Sequence, residues 1–257
     1  MQEFVNDKIM NVLVGCEYSG IVRDAFEDVG WNAYSCDIIP TESEQTKAAG
    51  KHIQADILRV IEHITEIGYA IPFIDDVGNE FYFTKFDLFI AFPPCTYLSY
   101  AYTGERRFKA ERLLKTADAI KFFVELWCFP VDCICLENPV GAIQHILPYT
   151  QIIHPYYFGR ETGEDYTKRT CLWLKNLPKL TYCKNQNDGL FEKSKYVAPA
   201  RNFYNANNGK SKKPVVHKAF CSDLERSKFH KGIATAMAEQ WTEYLTNEYK
   251  QLKTNDL

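Results

Sequence analysis

The sequence predicts an α/β protein with a doubly wound, mostly parallel sheet and a small C-terminal recognition segment. Strand-like and helix-like stretches alternate along the first 70 residues, as expected for successive βαβ units. Later, the run Leu88 to Phe92 is apolar throughout, and Val131 to Leu136 is nearly so. Such runs are typical of parallel strands, whose two faces are both covered.

The elements follow from periodicity and from the residues that interrupt it. The predicted strands are 11–15, 31–36, 52–54, 88–92, 131–136, 151–154 and 170–174. The predicted helices are 21–29, 57–67, 106–129 and 232–249, and Gly30 ends the first of them. The polar segment 41–50 is predicted to be a loop. Segment 71–85 is predicted to be an inserted hairpin, because turn-forming residues 75–80 precede Phe81, Tyr82 and Phe83.

The chain divides into three predicted regions. With 257 residues it is long enough for one substantial α/β domain and a small appendage. We assign 1–175 to a catalytic core, 176–222 to a basic recognition segment, and 223–257 to a C-terminal helix that packs back on the core. Between Tyr166 and Gly232 there are 15 lysines and arginines against 4 acidic residues, so the rest of the chain carries −14. This asymmetry favours a polyanion partner, although a solvated lysine-rich surface is the alternative.

Composition places limits on the class of protein. No apolar run is long enough to span a bilayer, and the first residues lack the basic start and apolar core of a signal peptide. The cysteine count is odd, at nine, and several cysteines lie in or beside apolar strands. Reduced thiols in a cytoplasm are therefore expected rather than a disulfide framework. No cysteine set has zinc spacing, so no metal is expected. No membrane partner is expected, because no apolar run is long enough to span a bilayer.

The most informative residues are a thiol and an acid that follow two strands. The prolines Pro93 and Pro94 end the strand 88–92 and leave Cys95 on a stiff loop. The next strand runs into Glu137 and Asn138. Carboxyl ends of neighbouring parallel strands meet at one edge of a sheet, where open α/β sheets bind ligands. A nucleophile beside a proton donor suits attack on a pyrimidine ring. The alternative to a nucleophilic role is that Cys95 is a small buried hydrophobic residue, as free cysteines often are.

These residues resemble the S-adenosylmethionine-dependent DNA cytosine carbon-5 methyltransferases, in particular the short phage and prophage members. Pro94-Cys95 is similar to the nucleophile motif of that family, and Glu137-Asn138-Pro139 is similar to its Glu-Asn-Val motif. The turn 15–20 resembles the glycine-rich first motif, and 232–237 resembles the last motif. The resemblance implies a class I (Rossmann-like) methyltransferase fold and double-stranded DNA as partner. It also implies a cytoplasmic location in a bacterial or phage-infected host cell.

The resemblance further implies roles for single residues. On the catalytic side it implies Cys95 as nucleophile, Glu137 as proton donor to the ring, and Arg169 as the cation that steadies the base. The implied contacts with S-adenosylmethionine are Cys16, Glu17, Tyr18, Gly20, Asp37, Ile38, Asp56 and Pro93. The implied contacts with DNA are Asn138, Arg106, Arg107, Lys168, Lys210, Lys212 and Lys213.

Ordinary structural roles remain open for several of these residues. Glu17 and Asp37 are alternatively turn acids, and Asp56 is alternatively a helix N-cap. Arg106 and Arg107 are alternatively a solvated helix start with local ion pairs, and Arg169 is alternatively a surface residue.

The implied reaction is methyl transfer to carbon 5 of a cytosine swung out of the duplex. The chain departs from the family in three places: one glycine after Glu17, proline after Asn138, and a shorter recognition segment. Four other functions remain possible. They are an exocyclic amino DNA methyltransferase, a DNA-binding relative without catalysis (a decoy or anti-defence protein), a free nucleotide as substrate, and a modified sulfonium cofactor.

Overall fold

A computed structural model describes residues 9–100, 110–159, 162–164, 167–182 and 228–255 of the chain, with side chains up to 247. Within these ranges a seven-stranded sheet forms the centre of the protein, in the order β3-β2-β1-β6-β7-β9-β8. Its strands are β1 Asn11–Gly15, β2 Asn32–Asp37, β3 His52–Gln54, β6 Leu88–Ala91, β7 Cys133–Asn138, β8 Gln151–Ile153 and β9 Thr170–Lys175. A separate antiparallel pair, β4 Phe73–Ile74 and β5 Glu80–Phe81, is the predicted inserted hairpin.

Helices cover both faces of this sheet. They are α1 Ile21–Asp28, α2 Glu44–Ala49, α3 Ile57–Glu62, α4 Ala110–Trp127 and α5 Lys231–Asn255. One buried cluster joins alternate residues of β1 and β6 to α1 and α5, including Val12, Phe26 and Trp241. The other joins the opposite faces of the same strands to α3, the hairpin and α4, including Leu13, Phe89 and Phe123. The doubly wound α/β fold predicted from the sequence is therefore confirmed.

The order of the strands creates a switch point between β1 and β6. From β1 the chain proceeds outward to β2 and β3, and then returns to the other side of β1 as β6 and β7. All pairs from β3 to β7 are parallel, whereas β9 runs antiparallel to both β7 and β8. Ligands of open α/β sheets bind outside the carboxyl ends of the strands at such a point.

Some predicted bounds were wrong. The polar segment 41–50 contains α2, which Ser43 caps by accepting the backbone N–H of Thr46, so capping outweighs the polar composition here. The predicted helix 57–67 is α-helical only to Glu62 and continues as a π-helical turn, His63–Ile67. Glu137 and Asn138 belong to β7 itself, because β9 continues the ladder beside them.

The C-terminal helix packs on the core, since Ile233, Met237 and Trp241 are fully buried among residues of α1 and the sheet. Residues 176–182 also contact the core, and Leu180 is buried. The rest of the predicted recognition segment lies outside the described residues. Among the described helices, none is both long enough and apolar enough to cross a membrane.

Candidate active site at the carboxyl edge of the sheet

Cys95 lies on a turn directly beyond β6. That strand is hydrogen-bonded to β1 on one side and to β7 on the other, and its last paired residue is Ala91. Pro93 is buried and Pro94 is exposed. The carbonyl of Cys95 accepts the backbone N–H groups of Leu98 (3.0 Å) and Ser99 (2.8 Å), which closes the turn. The thiol is partly exposed, as a nucleophile requires.

Glu137 lies at the end of the neighbouring strand. Ala91, the last residue of β6, pairs with Leu136, so β7 continues two residues beyond the end of β6 and brings Glu137 beside the turn that carries Cys95. The carboxyl is mainly buried, and burial raises its pKa above the usual range of a glutamate. A raised pKa favours the protonated carboxyl, which is the form that can donate a proton.

The thiol, the carboxyl and one lysine are within electrostatic range of each other. Burial first and the negative charge of Glu137 second raise the pKa of the Cys95 thiol, while the Lys168 ammonium lowers it. The same ammonium lowers the pKa of Glu137. Protonation of Glu137 therefore favours the thiolate of Cys95, because it removes a neighbouring negative charge.

Asn138 fixes the distance between the two strand ends. Its side chain is 1% exposed, and its Nδ2 donates to the carbonyl of Pro93 at 2.7 Å. Proline has no N–H, so the ladder cannot continue at this level, and the side-chain amide replaces a backbone hydrogen bond. Its Oδ1 is buried and has no hydrogen-bond partner among the described residues. The expected DNA contact of Asn138 is thus corrected to a positioning role, because no DNA group reaches a side chain buried in this way.

The chain after β7 holds the Cys95 turn from a second side. Gly141 forms an isolated antiparallel β-bridge with Ser99, and the backbone N–H of Ala142 donates to the carbonyl of Leu98 at 2.7 Å. A Cβ atom on Gly141 would lie 2.0 Å from the Leu98 carbonyl oxygen. Only glycine permits this close approach, which joins the thiol-bearing and acid-bearing loops into one unit.

A second group of predicted residues meets at the carboxyl ends of β1, β2 and β3. The negative charges of Asp37 and Asp56 both act on the Cys16 thiol, whose pKa is raised mainly by burial and additionally by these two acids. Asp37 is half-buried, and Asp56 is exposed and caps α3 by accepting the N–H of Leu58. Ile38, next to Asp37, is 68% exposed. Carboxylates beside an exposed apolar side chain fit the ribose hydroxyls and the adenine of a nucleoside cofactor.

Glu17 has a structural role at the start of α1. Its side chain is 3% exposed, and its carboxylate accepts the backbone N–H groups of Val22 (2.6 Å) and Arg23 (3.3 Å). Burial raises the pKa of this carboxyl to about 8, although these hydrogen bonds favour its charged form. The expected direct cofactor contacts of Glu17 and of Tyr18, which is 6% exposed, are therefore corrected to structural roles, because both side chains face inward.

Gly20 completes the same turn in the left-handed conformation, with φ at 71°. A Cβ atom there would lie 2.4 Å from Cβ of Ser43 and 2.7 Å from Oγ1 of Thr46. The glycine is thus required by the contact between this turn and α2. This turn holds α2 against the start of α1, which the predicted loop at 41–50 did not anticipate.

The cation that acts on the candidate pair Cys95 and Glu137 is Lys168 rather than Arg169. Lys168 is half-buried just before β9, which pairs with β7 beside Glu137 and Asn138. Arg169 is exposed, and its charge acts on His154 and Cys171. Successive residues of an extended chain point in opposite directions, which separates the two cations. Lys168 is therefore the cation whose charge acts on Cys95 and Glu137, and the base-steadying role expected of Arg169 stays a prediction. Arg106, Arg107, Lys210, Lys212 and Lys213 lie outside the described residues.

No protein-family model matches this chain, and none of the curated proteins is significantly similar to it. Within the described ranges, no group of three or more histidine, cysteine, aspartate or glutamate side chains could hold a metal ion. The candidate site is therefore defined by its own geometry.

Sequence reasoning missed the residues that position the site. The hydrogen bond from the Asn138 side chain to the carbonyl of Pro93 and the close approach at Gly141 depend on contacts between two segments about 40 residues apart in the chain. A single glycine three residues after Asn138 was the available signal, since glycine at a strand end indicates a close backbone approach.

Proposed function

We propose that this chain is a DNA methyltransferase that transfers a methyl group to carbon 5 of cytosine. The observation that carries the proposal is the pairing of a partly exposed Cys95 with a mainly buried Glu137 at the ends of adjacent parallel strands. A thiol and a proton donor on opposite sides of a planar ring are the groups that activate a pyrimidine for electrophilic attack. The α/β sheet with one reversed strand is compatible with a class I methyltransferase fold.

Each residue has a defined part in the proposed reaction. The Cys95 thiolate forms a bond to carbon 6 of the flipped cytosine, while Glu137 donates a proton or hydrogen bond to ring nitrogen 3. The electron pair of the carbon 5–carbon 6 double bond becomes available at carbon 5 and forms the bond to the methyl group, while the electron pair of the broken carbon–sulfur bond would stay on the sulfur of the methyl donor, which would leave as a neutral thioether. Loss of the carbon 5 proton to a base and expulsion of the thiolate restore the double bond. Lys168 stabilises the thiolate, because its charge lowers the pKa of Cys95.

S-adenosylmethionine is the proposed methyl donor, and when bound it supplies an electrophilic methyl on a sulfonium. The residues at the carboxyl ends of β1, β2 and β3 fit a nucleoside of this kind. Asp37 and Asp56 offer acceptors for ribose hydroxyls, and Ile38 offers an exposed apolar surface for adenine. The switch point between β1 and β6 places this edge next to the Cys95 turn.

Double-stranded DNA is the proposed partner. The sequence between Tyr166 and Gly232 has a net charge of +11, and its beginning includes Lys168 at the catalytic pair. A basic segment that begins at the catalytic edge suits a phosphate backbone, which supplies most of the affinity in sequence-independent binding. The target base must leave the duplex, since carbon 6 is covered within the stack.

The test uses DNA that contains 5-fluorocytosine together with S-adenosylmethionine. Fluorine at carbon 5 blocks the final elimination, so the proposed enzyme becomes trapped as a covalent adduct that migrates slowly on a denaturing gel. Cys95→Ser should abolish both the adduct and the transfer of labelled methyl to ordinary DNA. Cys128→Ser, which removes an exposed thiol directly after the last residue of α4, is the matched control and should leave both intact.

The alternatives give different results in this experiment. An exocyclic amino methyltransferase transfers label without an adduct and tolerates Cys95→Ser. A catalytically inactive relative binds DNA with a steep salt dependence but transfers no label. Either result would overturn the proposal.

A further inference from the structure

A histidine joins the sheet to the loop that follows Asp37, one of the expected cofactor contacts. His52 begins β3 and pairs with Ser35 of β2, so the two side chains lie on the same face of the sheet. The Ser35 hydroxyl and Nδ1 of His52 are 2.9 Å apart. Nε2 of the same ring lies 2.9 Å from the carbonyl oxygen of Ile39, in the loop that follows β2. The ring therefore connects two strands to the loop beyond them.

The partners of the imidazole define its protonation state. A carbonyl oxygen only accepts, so Nε2 carries the hydrogen that His52 donates to Ile39. Burial lowers the pKa of His52 below its usual range, although the Ile39 carbonyl and the charges of Asp37 and Asp75 oppose this decrease. The ring is therefore neutral near pH 7, and its Nδ1 accepts the Ser35 hydroxyl. Since Ser35 is fully buried, this bond satisfies a hydroxyl that water does not reach.

The loop that His52 contacts borders the proposed nucleoside site. Residues 38–40 are exposed, and the apolar side chain of Ile38 is 68% exposed. The backbone N–H of Ile39 donates to Oδ1 of Asp37 at 3.3 Å, while the carbonyl of Ile39 accepts from His52. Ile39 is thus held through both of its backbone polar groups. The orientation of the Asp37 carboxylate and the position of Ile38 therefore depend on where His52 holds this residue.

On the basis of the proposed function, we propose that His52 is a positioning residue that holds the exposed loop 38–40 in the conformation that receives the ribose and adenine of S-adenosylmethionine. Without the imidazole donor, water hydrates the Ile39 carbonyl and the loop adopts additional conformations. Ordering the loop when the nucleoside binds then costs affinity. The step at Cys95 is unaffected, because His52 acts only on the loop that follows β2.

Two substitutions separate the two hydrogen bonds of the ring. An asparagine amide reaches about as far as Nδ1, and a glutamine amide reaches about as far as Nε2. His52→Asn therefore keeps a partner for Ser35 and removes the donor to Ile39, whereas His52→Gln does the reverse. The matched control is His63→Asn, because Nε2 of His63 lies 2.9 Å from the carbonyl oxygen of Ile71. His63 follows the last residue of α3, a helix that leads away from the carboxyl ends of the strands.

Titration calorimetry with S-adenosylhomocysteine, the demethylated form of the cofactor, measures the dissociation constant. We expect His52→Asn to raise this constant about fivefold or more, and His52→Gln and His63→Asn to change it about twofold or less. The thermal midpoint should fall more in His52→Gln than in His52→Asn, because the buried Ser35 hydroxyl then loses its acceptor. In methyl transfer by His52→Asn, the KM for S-adenosylmethionine should rise about fivefold or more, while kcat changes about twofold or less.

The possible failures are distinguishable. An unchanged dissociation constant in His52→Asn, or an equal rise in His52→Gln or His63→Asn, overturns the positioning role and leaves the proposed function intact. A decrease in kcat with an unchanged KM in His52→Asn also overturns the positioning role, because the residue would then act on the reaction and not on the loop. Wild-type protein that does not bind S-adenosylhomocysteine overturns the proposed function and the positioning role together.

Discussion

The hydrogen bond from the Asn138 side chain to the carbonyl of Pro93 leads to a quantitative prediction about stability. In Asn138→Ala the carbonyl of Pro93 loses its 2.7 Å donor and remains buried between two strand ends. Leaving a buried carbonyl without its donor costs about 1–3 kcal/mol, and the small cavity adds about 1 kcal/mol. Removal of the unpartnered Oδ1 offsets about 1 kcal/mol of this loss. We expect a net decrease of about 2 kcal/mol in the free energy of unfolding.

Thermal and urea denaturation measure this loss. For a protein of this size, about 2 kcal/mol corresponds to a decrease of about 4–8 °C in the melting temperature. The matched control is Asn176→Gly, because the Asn176 amide makes a similar 2.8 Å hydrogen bond to the carbonyl of Asp132 at an exposed site. Its φ of 53° is a conformation that glycine adopts without strain. Water replaces the lost donor there, so the control should lose about 1 kcal/mol or less.

The Asn138→Ala variant also tests whether the hydrogen bond to Pro93 positions the turn that carries Cys95. If Asn138 sets the distance between Cys95 and Glu137, the 5-fluorocytosine adduct of Asn138→Ala should form more slowly even where the protein remains folded. A stability loss below about 0.5 kcal/mol, or one equal to that of Asn176→Gly, would refute the reasoning, because the buried hydrogen bond would then contribute no more than an exposed one.

Two further predictions concern the electrostatics of the site and the first turn. In Glu137→Gln we expect the pKa of the Cys95 thiol to fall, because a neighbouring negative charge is lost. Iodoacetamide should then label the Cys95 peptide about threefold faster or more at pH 8.5, while methyl transfer decreases. Lys168→Met should slow the same labelling, and an unchanged rate in both variants would contradict the proposed coupling. Gly20→Ala should lower the free energy of unfolding by about 2–4 kcal/mol, because positive φ and overlap with α2 act together. The control is Gly50→Ala, since Gly50 also has a positive φ, 62°, but a Cβ atom there meets no atom within 4 Å. This control should lower the free energy of unfolding by about 1 kcal/mol. Equal decreases in the two variants would contradict a contribution from the overlap with α2.

The sequence by itself determined the class of fold and predicted the two residues at the centre of the candidate site. Apolar runs and their spacing depend on local chain geometry and on burial, both of which can be read from residue types. Pro93 and Pro94 end a strand wherever the strand lies, because proline lacks the N–H that a ladder needs. Cys95 and Glu137 were therefore predicted to lie at one edge without knowledge of the sheet order.

Only the tertiary structure decided which neighbours act on that pair. Lys168 and Arg169 are adjacent in the chain, and the pairing of β9 with β7 places Lys168 within electrostatic range of Cys95. Asn138 was indistinguishable from a DNA contact until its amide was found on the carbonyl of Pro93. Such roles depend on distances between segments far apart in the sequence, and residue types and spacing carry no information about those distances until the sheet is assembled.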